Sequence, residues 1–152
     1  MATILVIDDQ KSICTLLRAA REGNGHEVFE ASNGRLGLAV YRERAPDVII
    51  TDILMPKMNG LELMVELNRS FPNVKVITMS GGRESGLHAA KVLGARQTFQ
   101  KPVDIRAVLD AVHTNWRISG RGGCFPRLPK RNGWRGSGSQ NNPVPPLRSR
   151  LV

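Results

Sequence analysis

Five residues carry side chains suited to metal and anion chemistry, and each stands directly after a short apolar run. They are Asp8 and Asp9 after Ile4-Leu5-Val6-Ile7, Asp52 after Val48–Thr51, Ser80 after Val74–Met79, and Lys101 after Thr98-Phe99-Gln100. Three carboxylates brought together repel one another and raise each other's pKa unless a positive charge sits among them. A hard divalent cation with oxygen ligands supplies that charge. Mg2+ suits the set, because it takes one or two carboxylates, keeps waters and completes its shell from a phosphoryl group. A lysine opposite the metal would bind the anion in the site, and a serine hydroxyl would donate to one of its oxygens. A nucleophile, a metal and a cationic clamp are what phosphoryl transfer to a carboxylate requires. The chain has no P-loop and no kinase-type Gly-rich loop with its Lys–Glu pair. The phosphoryl group is therefore expected from another protein or a small donor, not from a nucleotide bound here.

These residues meet only if the runs that precede them end on one edge. The runs Ile4–Ile7, Val28–Ala31, Val48–Thr51, Val74–Met79 and a weaker Thr98–Gln100 are short, β-rich and bounded by Asp, Gly, Pro or Asn, and read as strands. Between and after them lie segments of helical spacing. Ile13, Leu16, Leu17 and Ala20 share one face; so do Leu36, Leu38, Ala39 and Val40, and Leu61, Leu63, Met64 and Leu67. Leu87, Ala90, Val92 and Leu93 mark a fourth helix, and Ile105, Val108, Leu109 and Val112 a fifth. Five successive βα units predict an α/β domain with a parallel sheet. Ligand chemistry in such sheets gathers at the carboxyl ends of the strands, and all five residues fall there.

Charge separates two regions. Residues 1–117 hold 15 Lys/Arg and all 13 Asp/Glu, a balance of +2, whereas residues 118–152 hold 7 Lys/Arg and no acid. The second region also carries six glycines and five prolines without periodicity, and is expected to be a flexible basic tail on a folded domain of residues 1–117. No apolar run is long enough to cross a bilayer. The first residues lack the basic stretch of a signal peptide. With only Cys14 and Cys124, a disulfide scaffold is excluded and the expected compartment is the cytoplasm.

Residues 1–117 resemble the receiver domain of bacterial two-component response regulators. The matching pieces are Leu5-Val6-Ile7-Asp8-Asp9, Asp52-Ile53-Leu54-Met55-Pro56-Lys57-Met58-Asn59-Gly60, Thr78-Met79-Ser80-Gly81, and Gly94-Ala95 leading to Gln100-Lys101-Pro102. The resemblance implies a flavodoxin-like (βα)5 fold of strand order 2-1-3-4-5. It implies that Asp52 is the phosphoacceptor and that Asp9, Asp52 and the Leu54 backbone carbonyl hold Mg2+, with Asp8 acting through a bound water. Ser80 would be the switch hydroxyl and Lys101 the phosphoryl clamp, with a cis Lys101–Pro102 bond; Gly60 would relax the turn into the third helix. The donor would be a sensor histidine kinase or phosphotransfer protein, and the output a contact with a downstream protein rather than enzymatic turnover. Leu54 and Gly82 stand where family members influence hydrolysis, and neither offers an acid or amide to position water, which implies slow self-dephosphorylation.

Two positions depart from the family pattern. Thr98 stands where an aromatic is usual, and Phe99, one residue on, belongs to the opposite face of its strand and is expected in the core. Arg21-Glu22-Gly23-Asn24-Gly25 makes the end of the first helix polar.

Each motif has a plainer reading on its own. Asp8-Asp9 suits a helix cap, Asp52 a turn before Met-Pro, Ser80 a loop serine, and Lys101 a solvated lysine at a turn. Their shared register at strand ends favours the functional reading. His26, His88 and His113 lack metal spacing and are expected at the surface. Cys14 is expected to pack on the first helix, Met55 and Met58 at the proline loop, and Trp116 over the end of the last helix. The tail leaves an alternative open: a nucleic-acid-binding module with a vestigial receiver. Seven charges over 35 residues bind nucleic acid only weakly. A phosphate sink that drains a kinase is a third reading.

Overall fold

A computed structural model describes residues 2–10, 13, 18–20, 22–23 and 25–118. The elements are β1 (Thr3–Ile7), β2 (Glu27–Ala31), α1 (Gly34–Arg44), β3 (Val48–Asp52), α2 (Gly60–Ser70), β4 (Val76–Ser80), α3 (Glu84–Val92), β5 (Gln97–Gln100) and α4 (Ile105–Ile118). The helix expected around Ile13–Ala20 lies largely outside the described residues, although 18–20 and 22–23 are helical and Ala20 is buried. The tail is outside them too, and α4 continues one residue past the expected boundary at 117.

All five strands run parallel in the order β2-β1-β3-β4-β5. The strand order reverses beside β1 and β3, so the ends of these strands open a crevice. Alternating side chains make two cores. Ile4, Val6, Val48, Ile50, Ile77 and Met79 meet Val108, Ala111 and Val112 of α4 on one face. Leu5, Ile7, Ile49 and Val76 meet Leu38, Leu63, Met64, Leu67 and Ala90 on the other. Phe99 packs against the α4 face, as alternation along β5 requires.

Helical periodicity misreads the buried face of α1. Leu36 and Ala39 are exposed, and the buried residues are Gly34, Gly37 and Leu38. A Cβ at Gly37 would stand 2.2 Å from Ile7 Cδ1, and one at Gly34 2.8 Å from the Met58 carbonyl oxygen, so close approach selects glycine there. Val92 is likewise exposed on α3 rather than buried.

The histidines need a correction as well. His88 is exposed, but His26 is buried, its Nδ1 accepting the Ala2 N–H at 3.0 Å and its Nε2 lying 3.0 Å from His113 Nε2. The two residues are 87 positions apart and share no local signal. Trp116 closes against His26 edge-on, with ring centroids 6.1 Å apart.

Candidate functional site

Short β-rich runs set each functional side chain at a strand terminus, and backbone bonds hold those termini in step. Asp8 N–H donates to the Ala31 carbonyl, Ile53 N–H to Met79, and Lys101 N–H to Ser80, at 3.1, 2.9 and 2.8 Å. Helix α2 begins directly behind Asp52, and its start is fixed by a reciprocal cap between Asn59 and Glu62.

Gly60 owes its identity to crowding. Its φ is not in the left-handed region, but a Cβ would lie 2.3 Å from the Asp52 carbonyl oxygen and 2.9 Å from Ile53 Cα. Only a residue without a side chain lets α2 press against the end of β3, with Gly60 N–H donating to the Ile53 carbonyl at 2.9 Å.

The three aspartates converge: Asp8, Asp9 and Asp52 each offer a carboxylate oxygen, all within 4.8 Å of one another. Asp8 and Asp52 have side chains 0% and 4% exposed, while Asp9 is open to solvent. Lys101 reaches across from the end of β5, its Nζ 2.7 Å from Asp52 Oδ2 and 2.9 Å from Asp8 Oδ2. The remaining oxygens of the two buried acids also accept hydrogen bonds: Asp8 Oδ1 from Gln10 N–H at 2.7 Å, and Asp52 Oδ1 from Leu54 N–H at 3.2 Å. Burial by itself would lower the Lys101 pKa, but the hydrogen bonds and charges of Asp52 and Asp8 outweigh it and hold the ammonium above its ordinary value. Lys101 therefore stays charged, and in this arrangement the anion it clamps is the carboxylate pair itself. The Lys101–Pro102 bond is cis.

Ser80 is buried at the end of β4, its Oγ accepting the Gly82 N–H at 3.0 Å. It lines a pocket of about 420 Å³ formed by the loops after β3 and β4, together with Ile53, Leu54, Asn59, Arg83 and others. Leu54 is exposed and leans over Gly82, where a Cβ would meet its Cδ1 at 2.8 Å.

Each residue expected at the strand ends is thus found there, and four of them, Asp8, Asp9, Asp52 and Lys101, form one cluster. Arg83 and Asn59 also stand at the pocket wall; in the sequence Asn59 has only its place in the motif, without a role. The signal for Asn59 was available, since Asn followed three residues later by Glu marks a helix start. Arg83 carried none.

The donor chemistry fits a hard divalent cation: three carboxylates against one ammonium leave a surplus of negative charge, and Asp9 contributes to it from the open side. The arrangement sets one ammonium among three carboxylates, with the Ser80 hydroxyl at the end of the neighbouring strand.

Comparison with known proteins agrees with this geometry. The family described as response regulator receiver domain matches residues 4–113. The chain is 34% identical over 110 residues to sporulation initiation phosphotransferase F of Bacillus subtilis (strain 168), covering 72% of this chain and 89% of that protein. It is 33% identical over 112 residues to the chemotaxis protein CheY of Thermotoga maritima, covering 72% and 93%. A response regulator receiver domain protein from Clostridium thermocellum superposes with a TM-score of 0.72 at 31% identity, covering 78% of this chain and 97% of that one.

Proposed function

The chain belongs to the response regulator receiver domain family of two-component phosphorelay signalling, and we propose that within it Asp52 is the phosphoacceptor. The observation that carries this reading is the Lys101 ammonium bridging Asp52 and Asp8 at the carboxyl edge of the sheet. An Asp52 carboxylate oxygen attacks the phosphorus of a phosphohistidine on a sensor kinase or phosphotransfer protein. The P–N bond breaks, the imidazole leaves with the electron pair, and an acyl phosphate forms on Asp52. Lys101 has three donors, two of them on Asp52 and Asp8, and can pass a hydrogen bond to an incoming phosphoryl oxygen without leaving the site. Ser80 offers its hydroxyl proton to the same group from the end of β4.

Asp8, Asp9, Asp52 and the Leu54 carbonyl are the residues that would hold Mg2+, which supplies neutralisation of the phosphoryl oxygens when bound. Phosphorylation adds close to two negative charges at Asp52. The response is a shift in population at the loops after β4 and β5, read by a downstream protein. The proposed role is that of a switch, and the low cysteine count favours the cytoplasm as its compartment. Among the described residues, no helix is long and apolar enough to cross a membrane.

The test is phosphorylation by acetyl phosphate with and without Mg2+, followed by localisation of the mass shift. Label on Asp52 only when Mg2+ is present is the expected result, and Asp52→Asn removes it entirely. Label persisting in that variant overturns the assignment.

A further inference from the structure

At the opposite end of the sheet, we propose that His26 and His113 form a proton-operated clasp. When neutral, the pair ties the last turns of α4 to the starts of β1 and β2 through two hydrogen bonds; one proton taken from solvent breaks one of them. The Ala2 N–H can only donate, so His26 Nδ1 must present a lone pair, and the proton of its neutral ring is on Nε2. That proton points at His113 Nε2, 3.0 Å away, which must therefore accept, leaving the His113 proton on Nδ1. Both lone pairs of the pair are already accepting hydrogen bonds. A proton added at His26 Nδ1 faces the Ala2 N–H donor; one added at His113 Nε2 faces the His26 donor. Every protonated form loses a bond.

By the same reasoning, a metal bridging the two rings would cost the Ala2 bond. A metal on His26 Nε2 needs the lone pair there, and the proton would then have to move to Nδ1, against Ala2. The charged groups acting on His26 are His113 from α4 and the amino terminus ahead of β1, and both oppose its protonation. Glu27, its neighbour on β2, is exposed. Burial first, and then these charges, hold the His26 pKa below its ordinary 6.5.

What the clasp holds is the end of the domain from which residues 119–152 continue. Trp116 packs edge-on to His26, and Lys75 Nζ donates to the Asn115 carbonyl at 2.8 Å on the same turn. Since the folded His26 pKa lies below the unfolded one, its stabilisation is complete above pH 6.5 and is lost as pH falls towards the folded value.

Nitrogen NMR of the histidine rings in the full chain, combined with hydrogen exchange corrected for intrinsic rates, tests this between pH 7.5 and 5.5. The expected tautomer at pH 7.5 is Nε2–H on His26. On acidification below pH 6.5, protection at residues 113–117 falls by up to about tenfold per pH unit until the lower folded value of His26 is reached, while β3 amides hold. His113→Gln supplies an acceptor for His26 Nε2–H and keeps the protection at pH 7.5, whereas His26→Gln removes the ring whose pKa burial lowers and loses the acid response of α4. A His26 proton on Nδ1 at pH 7.5, or α4 protection indifferent to pH in the unaltered chain, overturns the proposal. An acid response retained by His26→Gln does so too.

Discussion

The two ends of one parallel sheet handle polar groups in opposite ways. At the N-terminal end, groups close into matched partners. Asp47 Oδ2 accepts both the N–H and the hydroxyl of Thr3 at 2.8 Å, His26 joins Ala2 to His113, and Lys75 caps the Asn115 carbonyl of α4. At the C-terminal end, three carboxylates share one lysine. Matched pairs fix how the elements meet. The unmatched charge at the other end leaves a surplus of negative charge that a cation would offset, which is the feature the proposed phosphoryl chemistry rests on.

Lys101→Met has the largest expected effect at the C-terminal end. It leaves two buried carboxylates facing each other, and the expected loss is about 3 kcal/mol of unfolding free energy in EDTA, the scale for breaking a buried ion pair. Added Mg2+ should recover a larger share of stability in the variant than it adds to the parent chain. Denaturant unfolding with and without Mg2+ measures both. Equal responses to Mg2+ would show that the carboxylates and Lys101 do not act as one charge cluster.

Gly60→Ala strikes the same end through packing rather than charge. The added methyl meets backbone atoms of Asp52 and Ile53, which cannot swing aside as a side-chain tip would. The expected cost is about 2 kcal/mol, with slower labelling of Asp52 by acetyl phosphate because the end of β3 must shift. Unchanged stability would mean that α2 has room to retreat.

At the N-terminal end, Asp47→Ala removes the acceptor for both Thr3 groups. It should cost about 1–2 kcal/mol by the usual penalty for orphaned donors, and leave labelling of Asp52 and the Mg2+ response as they were. An altered Mg2+ response in this variant would join the two ends that the comparison separates.

Much of the C-terminal end is legible in the sequence, because each site residue terminates an apolar run and a parallel sheet brings such termini to one edge. Asp8, Asp9, Asp52, Ser80 and Lys101 could be placed there without any contact being known, and the same alternation sent Phe99 to the core. The N-terminal clasp is not legible. His26 and His113 meet only because β2 lies beside β1 while α4 returns across that face, and no spacing within either element announces the meeting. The inner face of α1 failed for a different reason: periodicity counts apolar side chains, whereas the contact with Ile7 and Met58 is close enough to demand none. Gly60 shows the same limit, since its place in the motif was visible but its collision with Asp52 was not.

The smallest effect expected is also the one that separates the ends by sign. Asp9 is the exposed member of the carboxylate cluster and, unlike Asp8 and Asp52, is not one of the two acids bonded to Lys101. Asp9→Asn therefore removes repulsion without breaking the bridge. In EDTA its unfolding midpoint should rise slightly above the parent's, whereas in Mg2+ the order reverses, because the parent gains from the cation and the variant gains less. Its affinity for Mg2+ should fall, and with it the labelling of Asp52. Removing a charged side chain at the N-terminal end, as in Asp47→Ala, lowers stability with or without the cation. A fall in the midpoint of Asp9→Asn in EDTA would mean that the carboxylates are held in place by a partner rather than strained against one another. The surplus of charge would then not be what prepares the site for its ligand.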